Sequence, residues 1–338
     1  HLGIALMKLS ELRHEPIAQN PESSVLKTNS ALSADTVAPS LNDCALVLTT
    51  ALNQAKSLED KPAEAYALGH FGKLYEQTQQ WAIAQDLTEQ ALLLAQAINA
   101  SDIAYQWQWQ LGRLLKAQGD IQGAIAAYTE AVKTLQSLRS DLVAISSDVQ
   151  FSFTQSVEPV YRQLVSLLLQ LSDLKPSQQN LAQARDVIES LQLAELDNFF
   201  REACLNAKPK QIDRVDPTAA VIYPIILPDH LAVILSLPGQ PLRYYESRLP
   251  DTEVENILDQ TLQSLNPIFS NKQRLYFSQQ VYNWLIRPAQ TQLAASGIKT
   301  LVFVLDGSLR SIPMAALHDG NQYLVEQYNI ALTPSLQL

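Results

Sequence analysis

The stretch Leu301-Val-Phe-Val-Leu-Asp-Gly-Ser-Leu-Arg-Ser-Ile-Pro-Met-Ala-Ala-Leu-His-Asp-Gly320 decides how the second half of this chain folds. Leu301 to Leu305 is an unbroken apolar run, and Asp306-Gly307 ends it with a pair suited to a tight turn. Apolar residues in succession, rather than in alternation, predict a strand covered on both faces, as in a sheet sandwiched between helices. Upstream, Ala219–Leu227, Leu231–Leu237 and Leu242–Glu246 are apolar or aromatic runs separated by Pro228-Asp229 and Pro238-Gly239. They predict a three-stranded antiparallel meander, with Pro224 assigning the first run to an edge. A helix is expected after Asp251, with Thr252 and Glu255 at capping-box spacing, and another from Phe277 to Ala295. Asp319-Gly320 predicts a hairpin turn between Ala316-Leu317 and Tyr323-Leu-Val.

The first half has a different texture. Of 17 prolines, only Pro62, Pro159 and Pro176 fall between positions 40 and 208, and the ten glycines of the 338 residues favour long helices. A period of 40 runs through it: Gly72 and Gly112, Ala84 and Ala124, Ala91 and Ala131, projecting back to Cys44 and Ala51. Two antiparallel helices approach to about 8–10 Å only where the facing side chains are small, so these positions predict packed helix pairs. Gly119-Asp120 supplies a helix stop and then an N-cap for Ile121 onward. Residues 16–40, rich in Ser, Asn, Ala and Pro, read as a loop or linker. Val157-Glu158-Pro159 restarts a helix whose apolar stretch to Leu171 belongs to a core. Pro176-Ser177 opens a long helix through Leu193, Leu196 and Ala203. The predicted fold class is α + α/β: an antiparallel helix-pair array, a long connector helix, then a β-meander, helices and the start of a mixed sheet. The expected limits are 1–40 for an N-terminal helix fragment and linker, 41–175 for the array and following helices, 176–217 for the connector, and 218–338 for the α/β module.

The 301–320 run resembles the opening of a CHAT domain, a caspase-like peptidase domain. Leu191-Gln-Leu-Ala-Glu-Leu-Asp-Asn-Phe-Phe-Arg-Glu-Ala-Cys204 is similar to the connector helix that precedes CHAT domains in cyanobacterial proteins. The 40-residue period resembles tetratricopeptide (TPR) repeats of the longer kind; Tyr128 supplies the aromatic expected in the second helix, and Thr88 departs from it. This resemblance implies a TPR–CHAT protein. In that family the catalytic His and Cys stand in a Thr-His-Gly and then a Ser-Ala-Cys segment, and neither occurs here. The chain is therefore expected to be the recognition and regulatory half of a cysteine endopeptidase, with its catalytic dyad beyond Leu338 and the remainder of the CHAT domain as its partner. The resemblance also implies that strands completing the sheet follow Leu338, which would leave Leu301–Leu305 at or near an open edge. The alternative is a non-enzymatic TPR adaptor with a degenerate CHAT-like module.

No catalytic residue is assigned. Cys204 precedes every expected strand and His318 sits beside a turn, whereas the family's dyad His precedes its Cys at the ends of neighbouring strands. Cys44 occupies a small-residue packing slot, and His70 has no metal-ligand partner at i+4, so neither metal nor other cofactor is expected. Gly69 and Gly72 lie inside a helix and open no phosphate loop. By analogy with TPR repeats, a concave face would offer Tyr66, Lys73, Glu76 and Gln77 from one repeat, and Gln106, Trp109, Arg113 and Lys116 from the next, to a protein or peptide. Asp306 and Arg310 follow the sheet strand, on the rim where α/β proteins bind ligands, with a turn-capping and ion-pairing role as the plainer reading. A net charge of −10 argues against nucleic acid, with Lys208, Lys210 and Arg214 read as a solvated linker. No apolar run approaches the ~20 residues that span a bilayer, and two cysteines 160 positions apart fit a reducing, cytoplasmic setting.

Overall fold

A computed structural model describes residues 40–144, 153–170, 176–200 and 216–336. Residues 1–39 and 201–215 lie outside them, and so do the expected N-terminal linker, the end of the connector helix, Cys204 and the Lys208–Arg214 group. The chain divides into two units after Leu135. Among the described residues no helix is long and apolar enough to cross a membrane.

The first unit is a succession of helices: α1 (Leu41–Ser57), α2 (Lys61–Gln77), α3 (Trp81–Ala97), α4 (Ser101–Ala117) and α5 (Ile121–Ala144), the last extending past the unit boundary. Each of the first four has 17 residues, and the starts at 41, 61, 81, 101 and 121 show a backbone period half that of the sequence. One turn recurs between them. Glu59, Gln79, Asn99 and Gly119 take positive φ, at 56°, 59°, 56° and 84°. The following N–H groups, of Asp60, Gln80, Ala100 and Asp120, reach back 2.9 Å to the carbonyls of Ala55, Tyr75, Ala95 and Leu115. This is the Schellman closure, which satisfies carbonyls left open at a helix end. Ser40, Asp60 and Asp120 accept from Asp43, Ala63 and Gly123 N–H and so cap α1, α2 and α5.

The small residues do the packing expected of them. Cys44, Ala84, Ala124, Ala91 and Ala131 are fully buried. A Cβ on Gly112 would stand 2.6 Å from the Tyr128 ring, and one on Gly69 2.3 Å from that of Trp107. Where Thr88 replaces the aromatic, Gln110 fills the space: its amide donates to Thr88 Oγ1 at 2.8 Å and to the Gly69 carbonyl at 2.9 Å. Ala51, by contrast, is exposed.

The second unit contains α6 (Phe153–Ser156), α7 (Glu158–Leu169), α8 (Gln178–Phe200), β1 (Ala219–Ile226), β2 (Leu231–Ser236), β3 (Arg243–Ser247), α9 (Asp251–Ser264), α10 (Asn271–Leu285), α11 (Gln290–Ala295), β4 (Thr300–Phe303), α12 (Leu324–Gln327) and β5 (Asn329–Leu332). The strand order is β3-β2-β1-β4-β5, antiparallel across β3-β2-β1 and parallel across β1-β4-β5. Ala220, Ile222, Val233, Leu301 and Phe303 join Val254 and Leu258 of α9 and Val281, Tyr282 and Leu285 of α10 in one core. On the other face Tyr223 donates to Glu189 of α8 at 2.7 Å. The sheet is thus covered on both sides, as the unbroken apolar runs imply, and the α + α/β class holds.

Several local expectations are corrected. Pro224 lies in a strand flanked on both sides, not at an edge. Leu227 N–H faces β2, reaching His230, while Ile226 N–H turns to Asp306. By alternation the Pro224 nitrogen faces the β4 side, beyond the last paired residues Ile222 and Phe303, where no ladder bond is lost. The strand from Leu301 is interior too, because β5 pairs outside it. Pro250 precedes α9, with no side-chain cap from Thr252. The helix expected over 277–295 begins earlier, capped by Ser270 and Gln273, and is interrupted by a 3-10 turn at Arg287–Ala289 around Pro288. Tyr323 makes a single bridge to His318, and the chain then enters α12 rather than a strand.

Candidate functional site

Asp306 marks the C-terminal end of β4, beside the point where connections leave β1 in one direction and β4 in the other. Open α/β sheets bind ligands at such a point. Here the place is filled from within. Arg162 of α7 makes a bidentate pair with Asp306, at 2.8 and 2.9 Å, and its Nε donates to Glu158 at 2.6 Å. Ile226 N–H donates to the same Asp306 carboxylate at 3.0 Å, so the turn after β4 is tied to the end of β1. Burial works against the Arg162 charge, but the Asp306 and Glu158 carboxylates outweigh it and raise the guanidinium pKa. Asp306 itself has no exposed surface.

Arg310 lies on the next turn, in the 3-10 helix Gly307–Ser311. Its Nε donates to the Leu305 carbonyl at 3.0 Å, and its guanidinium pairs with Glu195 of α8. Burial raises the Glu195 pKa, with Arg310 opposing. Gln192, one turn before Glu195, donates to the same Leu305 carbonyl at 3.1 Å. The two rim residues are therefore both engaged in ion pairs, Asp306 wholly buried and Arg310 with 44% of its side chain exposed.

In the array, the predicted face brings its residues together in pairs. Arg113 of α4 forms a bidentate bridge to Glu76 of α2, at 2.7 and 2.8 Å, while its guanidinium lies 4.7 Å over the Trp109 ring. Tyr66 hydrogen-bonds Gln106, stacks on His70 and meets Trp107 edge-on. Burial raises the Tyr66 pKa, so its phenol stays neutral. Gln77 and Lys116 are exposed and Lys73 is partly so. The first helices of successive repeats do lie side by side, and the aromatic and charged residues sit on their shared surface.

The other chemical candidates are structural in this setting. Burial pushes the Cys44 thiol pKa up, which keeps it protonated and inert. His318 Nδ1 accepts from Gly320 N–H at 3.0 Å and its ring meets Tyr323 edge-on at 4.8 Å. Among the described residues no group of His, Cys, Asp and Glu could hold a metal ion. Sequence reasoning missed Arg162, Glu158, Glu189 and Glu195. The one legible signal was Arg162 itself, a charge inside the apolar run Val160–Leu169 and four residues after Glu158.

A family model, the CHAT domain, matches residues 276–338. The chain is similar to that family from the first turns of α10 through β4, the Asp306 turn and β5. No curated protein matches the chain.

Proposed function

We propose that the chain is the recognition and regulatory half of a caspase-like cysteine endopeptidase. The TPR-like array takes a protein or peptide partner on the surface shared by α2 and α4, with Trp109 and Lys116 as its contacts. The sheet unit belongs to the peptidase module, whose cleaving His and Cys stand in sequence following Leu338. The observation that carries this reading is the coincidence of the CHAT match with the parallel strands β4 and β5 and the turn at Asp306. In it the buried Arg162–Asp306 pair anchors the rim, and Arg310 is the rim residue within reach of a substrate.

The test uses the product of the whole parent gene against a peptide library, with and without a thiol-alkylating reagent. Thiol-dependent cleavage is expected, with no cleavage by the 338-residue chain alone. Lys116→Ala should weaken partner-dependent cleavage without moving the melting temperature, and adding Trp109→Ala should weaken it further. A parent product that cleaves nothing would favour the second reading, a non-enzymatic adaptor with a CHAT-like scaffold.

A further inference from the structure

Charge is unevenly spread over the helix array. Residues 41–135 carry ten acidic and six basic side chains. Three of the bases, Lys73, Arg113 and Lys116, stand in the C-terminal halves of α2 and α4, the first helices of successive repeats, with Glu76 as the one acid there. The rest of the array is left with nine acids and three bases, in a chain of net charge −10. Two of those three, Lys61 and Lys133, pair within their own helices, with Glu64 and Glu130.

The basic spot is compact. Gln110 of α4 donates to the Gly69 carbonyl of α2 at 2.9 Å, and Arg113 reaches Glu76, so the two helices are in direct contact there. Helices packed in this way have axes about 8–10 Å apart. Lys73 and Arg113 stand 40 positions apart, the period of the array, and so at one level on neighbouring helices. Glu76 and Lys116, also 40 apart, form the next level, with Lys116 exposed. The Glu76 carboxylate is held by Nε and Nη2 of Arg113. A guanidinium has five donors and an ammonium three, so a contact inside the chain does not use up either kind of base.

We propose that this face takes an extended acidic segment of a partner protein. Two of its carboxylates, three residues apart, lie one at Lys73 of α2 and one between Arg113 and Lys116 of α4. The proposal rests on the reading of the array as a recognition surface and adds the chemistry of what is recognised. The sign of the charge follows from three bases against one acid. An acidic segment is repelled by the rest of the array, so charge also decides where it settles. The spacing follows from the helices. A polyproline II segment returns to the same side every three residues and advances about 9 Å in doing so, which matches one step between helices. A β-strand returns to the same side after about 7 or 13 Å and fits that step less well.

The experiment follows the fluorescence anisotropy of labelled proline-rich peptides on titration with the full chain. Their ends are acetylated and amidated, so that no terminal charge contributes. One peptide carries Glu-Pro-Ala-Glu; the others carry Gln-Pro-Ala-Gln, Lys-Pro-Ala-Lys, or the two Glu side by side. The Glu-Pro-Ala-Glu peptide is expected to bind about tenfold more tightly than the Gln peptide. The peptide with adjacent Glu should fall between them, and the Lys peptide should not bind. Added salt should weaken the binding, because the charges involved are exposed. Lys116→Glu should weaken it by about tenfold. Lys133→Glu makes the same charge change on α5, away from this face, and should leave binding as it is, with circular dichroism showing both variants folded. Equal binding of the Glu and Gln peptides, equal loss in the two variants, or no binding by any peptide would each overturn the acidic assignment. Tighter binding of the adjacent-Glu peptide would overturn the three-residue spacing. The recognition reading itself fails separately, if cleavage by the parent product does not depend on a partner.

Discussion

In the helix array, side chains that meet come from neighbouring helices: Arg113 and Glu76 are 37 positions apart, and Gln110 and Gly69 are 41. In the sheet unit Arg162 reaches Asp306 across 144 positions, and Ser335 reaches Glu189 across 146. The array is held by small-residue contacts and one repeated turn, so its stability is approximately a sum over adjacent helices. The sheet unit depends on a few buried polar contacts that close long loops and tie α7, α8, β1 and β4 together. Damage should therefore stay local in the first unit and spread through the second.

The largest expected effect tests the second half of that statement. Asp306→Ala leaves the Arg162 guanidinium with Glu158 and a long contact to the Ile226 carbonyl, and strips Ile226 N–H of its acceptor. Breaking a buried pair by removing one partner costs about 3–5 kcal/mol. Hydrogen exchange should show loss of protection in both β1 and β4, with α2 to α4 unaffected. A change below about 1 kcal/mol, typical of exposed pairs, would mean that the pair does not unite the unit.

Next comes Gly112→Ala, whose new Cβ would meet the Tyr128 ring at 2.6 Å. Overpacking of this kind costs about 1–3 kcal/mol. Here exchange should rise in α4 and α5 and hardly at all in α1. If it rose through the whole array, the helices would be more cooperative than a nearest-neighbour stack.

The same contrast explains what was legible in advance. Small residues 40 apart betray close helix packing, and unbroken apolar runs betray a doubly covered sheet, because each is imposed on side chains. The half-period of 20 was hidden, since the turn constrains φ rather than residue type and is filled by Glu59, Gln79, Asn99 and Gly119 in turn. Strand order was hidden for another reason. Pro224 forbids one hydrogen bond, and sequence alone does not say that β4 has already ended on that side. The array face was legible as a set of positions, but not that Arg113 and Glu76 would neutralise one another. The buried Glu189 and Gln192 and the half-buried Glu195 read as ordinary polar positions of a helix, because their partners lie more than a hundred residues downstream or on β1.

The turns themselves offer a smaller and opposite effect. Glu59 and Gln79 hold a backbone conformation that side chains bearing a Cβ disfavour, while Gly119 holds it with nothing within 4 Å of a would-be Cβ. Glu59→Gly and Gln79→Gly should each stabilise the array by about 0.5–1 kcal/mol, after the extra freedom of glycine in the unfolded chain is subtracted. Gly119→Ala should cost a similar amount. Denaturant midpoints would decide it, and a loss of stability in either glycine variant would show that the recurrent turn depends on its side chains.

The last expected effect is one of slope rather than midpoint, and it returns to the sheet unit. Glu189 is buried and accepts from Tyr223 at 2.7 Å and from Ser335 at 3.2 Å, so α8, β1 and the segment after β5 meet at one carboxylate. Burial raises its pKa, and the two hydroxyl donors and the Arg185 charge only partly oppose that, with Asp186 adding to the rise. A carboxyl whose folded pKa is raised binds its proton more tightly when folded. Its contribution to stability is therefore full below the ordinary carboxylate range and is lost as pH rises through the folded value. Glu189→Gln keeps an acceptor for Tyr223 and cannot ionise. Wild type and variant should accordingly be closest in stability near pH 4, and the variant should gain on the wild type as pH rises to 7. Lys or Arg elsewhere cannot imitate this, because only the difference between the two proteins is read. Parallel pH profiles would mean that the two hydroxyls hold the charge of Glu189 as well as water does, and that this contact adds nothing pH-dependent to the unit.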